Sequence, residues 1–167
     1  MHSTIISDQL SKKEKYDLLM QQIEIILQED TNDIALLSNC ISALHFTFHF
    51  HWTGFYFVKR NKLELGTFQG PVACTSISFG KGVCGTAWKE NKTIIVDDVD
   101  QFEGHIACSS LSKSEIVVPV HNVQQLVIAV LDIDSELYAN FDVTDQLYLE
   151  QMLIKLSPLI EKLISNI

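Results

Sequence analysis

The chain has 167 residues, 47% hydrophobic and 20% charged, with only 7 Gly and 3 Pro. That composition suits one domain that buries roughly 70% of its unfolded surface, and it excludes disordered, collagen-like and linker-rich chains. A balance of 21 acidic against 12 basic residues, net −9, repels a phosphate backbone and argues against general nucleic-acid binding.

Residues 1–15 are polar and lack the basic-then-apolar layout of a secretory leader, and no run approaches the ~20 apolar residues of a membrane span. A cytoplasmic protein without membrane partners is expected. From Ser11, Tyr16, Leu19, Met20, Ile23, Ile26 and Leu27 recur at helical spacing. Residues 29–33 break this run and offer caps for a second helix, whose apolar stripe includes Leu37, Cys40, Ile41 and Leu44. Cys40 on that stripe reads as a small buried hydrophobe. Residues 52–58 and 63–69 predict two strands around a turn at Arg60-Asn61-Lys62, and 77–79 continue a sheet. Gly80-Lys81-Gly82 turns into a short helix through Trp88, and 93–96 is another strand. Residues 97–113 show no period and predict a long loop, of the kind that is usually functional. Residues 115–120 and 126–133 form a hairpin, and a final helix starts at Asp142, with Pro158 expected to kink or shorten it. Strands flanked by helices predict an α+β sandwich: a central antiparallel sheet with the terminal helices packed on one face. One domain spans 1–167, with N-terminal helices in 1–50, sheet and loops in 51–135 and the last helix in 142–167.

Four groups of residues suggest chemistry. Gly80-x-Gly82-x-x-Gly85 matches a dinucleotide fingerprint in form but lacks a clean βαβ unit, so a tight turn presenting backbone N–H groups is the better reading. Cys74, Cys84 and Cys108 all fall in the loop-rich middle, off any evident core stripe. They are open to three readings: buried hydrophobes, zinc ligands together with His105, or redox thiols. Glu115 precedes an apolar strand, and Asp132 and Asp134 are two apart in another, so the aspartates share a face. They are either a solvated strand end or an ammonium-binding pair beside a desolvated Glu115. Trp52 and Tyr56 likewise share one face of their strand.

Six segments occur in order: Trp52-Thr53-Gly54-Phe55-Tyr56, Phe68-Gln69-Gly70, residues 80–87 (GKGVCGTA), residues 104–108 (GHIAC), residues 114–119 (SEIVVP) and residues 130–135 (VLDIDS). Together they resemble the free methionine-(R)-sulfoxide reductases, enzymes built on a single GAF domain. The resemblance implies reduction of the R epimer of free methionine sulfoxide, recycled by thioredoxin, with no bound cofactor and no metal. It implies Cys108 as nucleophile, Cys74 as resolving cysteine and Cys84 as an alternative or relay thiol. Glu115, Asp132 and Asp134 would hold the substrate, Glu115 also serving as proton donor to the sulfoxide oxygen, with Trp52 and Tyr56 as the wall at the methyl-sulfoxide end. Ser76 and Ser78 stand where the family often carries an arginine and a proline, and the turn at 121–125 is about one residue longer. The competing class is a non-catalytic GAF module that binds a small molecule as a sensor. The terminal helices offer a surface for a homodimer.

Overall fold

The computed structural model describes residues 6–29, 31–106 and 109–166. Two helices come first, α1 (Lys12–Ile26) and α2 (Asp33–Phe48), followed by strands β1 (Trp52–Lys59), β2 (Lys62–Gln69) and β3 (Ser76–Ser78). Helix α3 (Gly82–Glu90), strands β4 (Ile94–Val96), β5 (Ser114–His121) and β6 (Val127–Ser135), and helix α4 (Val143–Ser165) complete the chain. The expected long loop before β5 contains one 3₁₀ turn, Val99–Gln101. None of the described helices is long and apolar enough to cross a membrane.

Local chemistry sets these boundaries. Ser11 and Glu14 cap α1 reciprocally, and Asp142 and Asp145 do the same for α4. The Asn32 side chain accepts from Ala35 N–H at the start of α2, the cap expected from the polar break. Arg60 and Asn61 both take positive φ, which matches the right-handed twist of a tight β1–β2 hairpin. Pro158 does not shorten α4, which runs 23 residues through it. The proline lies on the exposed side, and the buried stripe from Leu149 to Leu163 holds the helix together across the missing N–H.

The six strands form one antiparallel sheet in the order β3-β2-β1-β6-β5-β4. Helices α1, α2 and α4 cover one face, closing a core with Phe55 and Phe57 of β1, Ile116 and Val118 of β5, and Leu131 and Ile133 of β6. The alternate residues of the same strands face a second, smaller core with Val83, Cys84 and Ala87 of α3. The terminal helices therefore share one face as predicted, while α3 and the loops occupy the other. The candidate site is built on this second face.

Candidate active site

Strands β1, β6 and β5 lie side by side, and their register decides what meets on the second face. Trp52 pairs with Asp134, and Gly54 with Asp132. On the other edge of β6, Glu115 pairs with Asp134 and Val117 with Asp132. Paired residues in an antiparallel ladder project to the same side. The three carboxylates and the two aromatic rings singled out from the sequence thus line one pocket.

The wall at the β1 end is aromatic. Trp52 lies over Gly54: a Cβ there would come 2.5 Å from the indole ring and 2.4 Å from Phe68 Cβ. The indole stacks with Tyr56 at 5.8 Å and with Phe68 at 5.4 Å, and its N–H donates to the Pro71 carbonyl at 3.1 Å. Tyr56 O–H donates to the Cys74 carbonyl at 3.0 Å, tying the segment after β2 to the sheet. Both polar tips are thus satisfied, and the ring faces remain for apolar contact. Lys81, Gly82 and Cys84 of the α3 start form the roof, and His105, Ile106 and Ser112 come from the loop before β5. The space enclosed is small, about 40 Å³.

The floor is acidic and dry. Glu115 and Asp132 are 5% and 7% exposed, so the solvated-strand-end reading of this set is overturned. Burial, then the neighbouring charges of Asp132 and Asp134, push Glu115 well above the usual carboxylate range. Burial also lifts Asp132 to about 6, with hydrogen bonds from Cys84 and Glu115 pulling the other way. Asp134 rises to about 8 through burial and the charge of Asp132, opposed by the Ser112 hydroxyl and by His51. These directions describe a protonated Glu115 donating to an ionised Asp132, whose Oδ1 has no hydrogen-bond partner. A buried, partly anionic floor with an unpartnered oxygen suits a small cationic group of matching size.

The cysteines divide. Cys40 packs in the helix-side core, as its stripe predicted. Cys84, placed off any core stripe in the sequence reading, is 3% exposed in the second core and also borders the pocket. The helical period of α3 was too short to reveal that face. Burial first, then Asp132 and Glu115, hold the Cys84 thiol well above its ordinary pKa, so it is a thiol and not a thiolate. Cys74 is disulfide-bonded, whereas Cys40 and Cys84 are free. Cys108 lies outside the described residues. Ser76 and Ser78, the departures from the family pattern, are exposed on β3, and only Ile77 between them reaches the pocket.

Sequence reasoning missed His51 and named His105 only as a possible zinc ligand. His51 accepts or donates at both ring nitrogens, 2.9 Å from Glu136 Oε1 and 2.9 Å from Ser109 Oγ, and so ties the loop before β5 to the strand ends. His105 Nε2 stands 3.8 Å from Glu115 Oε2. His105 lines the pocket, whereas the isolated His51 reaches only its neighbour Ser109, a contact that the tertiary fold alone creates.

A curled antiparallel sheet with helices on one face and a pocket on the other defines a GAF domain. The GAF domain family model matches residues 35–157, and the chain belongs to that family. It is 54% identical over 144 residues to GAF domain-containing protein A of Dictyostelium discoideum, covering 86% of this chain and 90% of that protein. It is 41% identical over 164 residues to free methionine-R-sulfoxide reductase of Saccharomyces cerevisiae, covering 93% and 89%. The solved free methionine-R-sulfoxide reductase of Neisseria meningitidis, in complex with its substrate, superposes with a TM-score of 0.92 at 43% identity over all of both chains. Within the GAF domains, the chain belongs to the free methionine-(R)-sulfoxide reductase family.

Proposed function

We propose that this chain reduces free L-methionine (R)-sulfoxide to L-methionine, with thioredoxin as the external reductant. The observation that carries the reading is the acidic triad of buried Glu115 and Asp132 with half-buried Asp134, facing Trp52 and Tyr56 across one pocket. A free amino acid presents an ammonium group; the ionised Asp132 is its anionic partner, and Asp134, which keeps its proton near neutral pH, becomes a second one by releasing that proton as the ammonium binds. The methyl sulfoxide end lies against the rings of Trp52 and Tyr56. A peptide-bound methionine sulfoxide has a neutral amide in place of the ammonium. Losing that charge-assisted contact costs on the order of 2–5 kcal/mol, enough to exclude it.

The sulfoxide oxygen is a poor leaving group until it gains a proton. Glu115, kept protonated by burial and by its acidic neighbours, supplies that proton while the Cys108 sulfur attacks the substrate sulfur. An S–S bond forms as the S–O bond breaks and the protonated oxygen leaves as water. Water then attacks the Cys108 sulfur, the S–S bond breaks, methionine leaves as the thioether, and Cys108 is left as sulfenic acid. The Cys74 thiol condenses with it, releasing water and forming a disulfide, and an external dithiol restores both thiols. In sum, sulfoxide and two thiols give thioether, disulfide and water. Cys84 serves as the alternative or relay thiol, and no metal or organic cofactor enters the reaction. The chain works in the reducing cytoplasm.

The test is thioredoxin-coupled NADPH consumption with resolved free R- and S-sulfoxides and an N-acetylated R-sulfoxide. Consumption with the free R epimer alone is expected. Cys108→Ser abolishes turnover, and Cys74→Ser permits one reduction per chain but blocks recycling. Full coupled activity in Cys108→Ser defeats the assignment. No consumption with any substrate, in folded and reduced protein, points instead to a ligand-binding GAF module.

A further inference from the structure

The pocket floor holds a donor set whose chemistry goes beyond recognition of an ammonium. Cys84 Sγ and one carboxylate oxygen each from Glu115 and Asp132 lie within 4.8 Å of one another, and all three residues are buried. Sγ is 4.0 Å from Glu115 Oε1. On the far side of the same carboxyl group, His105 Nε2 is 3.8 Å from Oε2. Asp132, 93% buried by its 7% exposure, borders the pocket with Oδ1 unpartnered.

We propose that Cys84, Glu115 and Asp132, with water in the fourth position, form a binding site for a thiophilic divalent transition cation such as zinc, which competes with the amino-acid substrate. One thiolate and two carboxylates are ordinary zinc ligands. Tetrahedral bonds of about 2.0–2.3 Å separate such donors by about 3.3–3.8 Å, so the set closes on an ion by a contraction of about an ångström. Magnesium and calcium, which take six or more oxygen ligands, do not match a small set that contains a sulfur. Binding replaces the S–H bond of Cys84 by an S–metal bond and releases that proton, together with any held by Glu115. No electron moves, and affinity rises with pH. The cation is an inhibitor of the reduction, not a participant in it. That half of the proposal rests on the reading of Asp132 as an ammonium-binding group, because the two cations need the same oxygen.

Cobalt(II) is the probe, since its thiolate charge-transfer absorption reports a sulfur ligand without reference to activity. Titration of the full chain is expected to give that absorption with tetrahedral d–d bands, and zinc displaces both. Cys84→Ser removes the charge-transfer band, and Asp132→Asn, which keeps the thiol and the side-chain shape, weakens cobalt binding by at least about tenfold. Far-UV circular dichroism checks that both variants fold. No charge-transfer band in the parent chain, or an unchanged band in Cys84→Ser, overturns the site. In the coupled assay, zinc raises KM for the free sulfoxide and leaves kcat unchanged. A normal cobalt spectrum with no effect of zinc on KM overturns the competition alone, and places the substrate away from Asp132.

Discussion

At Gly54 the sheet carries no side chain, and the Trp52 ring uses the space. Phe68 Cβ is fixed to the neighbouring strand, so an alanine methyl at 2.4 Å has nowhere to go except against the indole, 2.5 Å away on the other side. Gly54→Ala is expected to cost about 1–3 kcal/mol by overpacking and to displace the ring that walls the substrate. A urea titration together with kcat/KM checks both effects, and an unchanged kcat/KM removes Trp52 from the wall. Asp132 faces that glycine across the strand pair. Asp132→Asn keeps the shape and deletes the charge, so kcat/KM for the free sulfoxide is expected to fall roughly 30-fold or more, the equivalent of about 2 kcal/mol. The loss falls mainly on KM, since the ammonium is bound alike in ground and transition states.

Among the elements, α4 carries the clearest internal conflict. Its first turn is tied to α1, where Tyr16 O–H donates to Asp145 Oδ1 at 2.8 Å and Lys12 Nζ donates to Asp145 Oδ2 at 2.5 Å. Asp145 is 1% exposed, so the cap of one helix is also the buried anchor of another. Thirteen residues after Asp145, Pro158 withholds an N–H from the ladder, and the helix continues because Leu156, Ile160 and Leu163 are buried against the sheet and its neighbours. Packing outweighs the local penalty. Pro158→Ala restores the donor on an exposed face and is expected to stabilise the chain by about 1–2 kcal/mol, the helix gain less the greater freedom of the unfolded chain. A higher urea midpoint with the same slope is the result to look for. A lower midpoint would mean that the proline fits a bend that the packing requires.

For the whole molecule, the acidic floor couples the site to stability. Asp134 has a folded pKa of about 8, against an ordinary value of 3.8, and Asp132 one of about 6. Between about pH 4 and 8 the folded chain holds protons that the unfolded chain has released, so stability falls as pH rises across that window. The urea midpoint is expected to drop from pH 5 to pH 9. Asp134→Asn flattens the upper part of that curve and exceeds the parent at pH 9, at the expense of substrate binding. A parent chain equally stable at both pH values contradicts the raised carboxylates.

The same alternation that supports this coupling made much of the molecule readable from its sequence. Ile116, Leu131 and Ile133 alternate with Glu115, Asp132 and Asp134, and that period gave the strands, the shared face and the acid set. Helix starts followed from Ser11, Asn32 and Asp142. What stayed hidden depends on contacts between distant segments. The burial of Cys84 comes from α3 lying across the second face, and nine residues are too few to display a stripe. His51 meets Glu136 and Ser109 only through the tertiary fold. The unshortened α4 reflects tertiary packing that no local propensity contains.

The β5–β6 register has a further consequence for folding. Slipping that pairing by one residue would turn Glu115 or both aspartates into the largely apolar helix-side core, among Phe55, Leu149 and Leu156. Isoleucines and leucines of the same strands would be stranded in the polar pocket in exchange. Two or three carboxylates buried in hydrocarbon are a heavier penalty than the whole margin of a small domain. The groups assigned to the substrate thus also proofread the sheet: a chain paired out of step is too unstable to persist, and any chain that survives as folded has its acids in place.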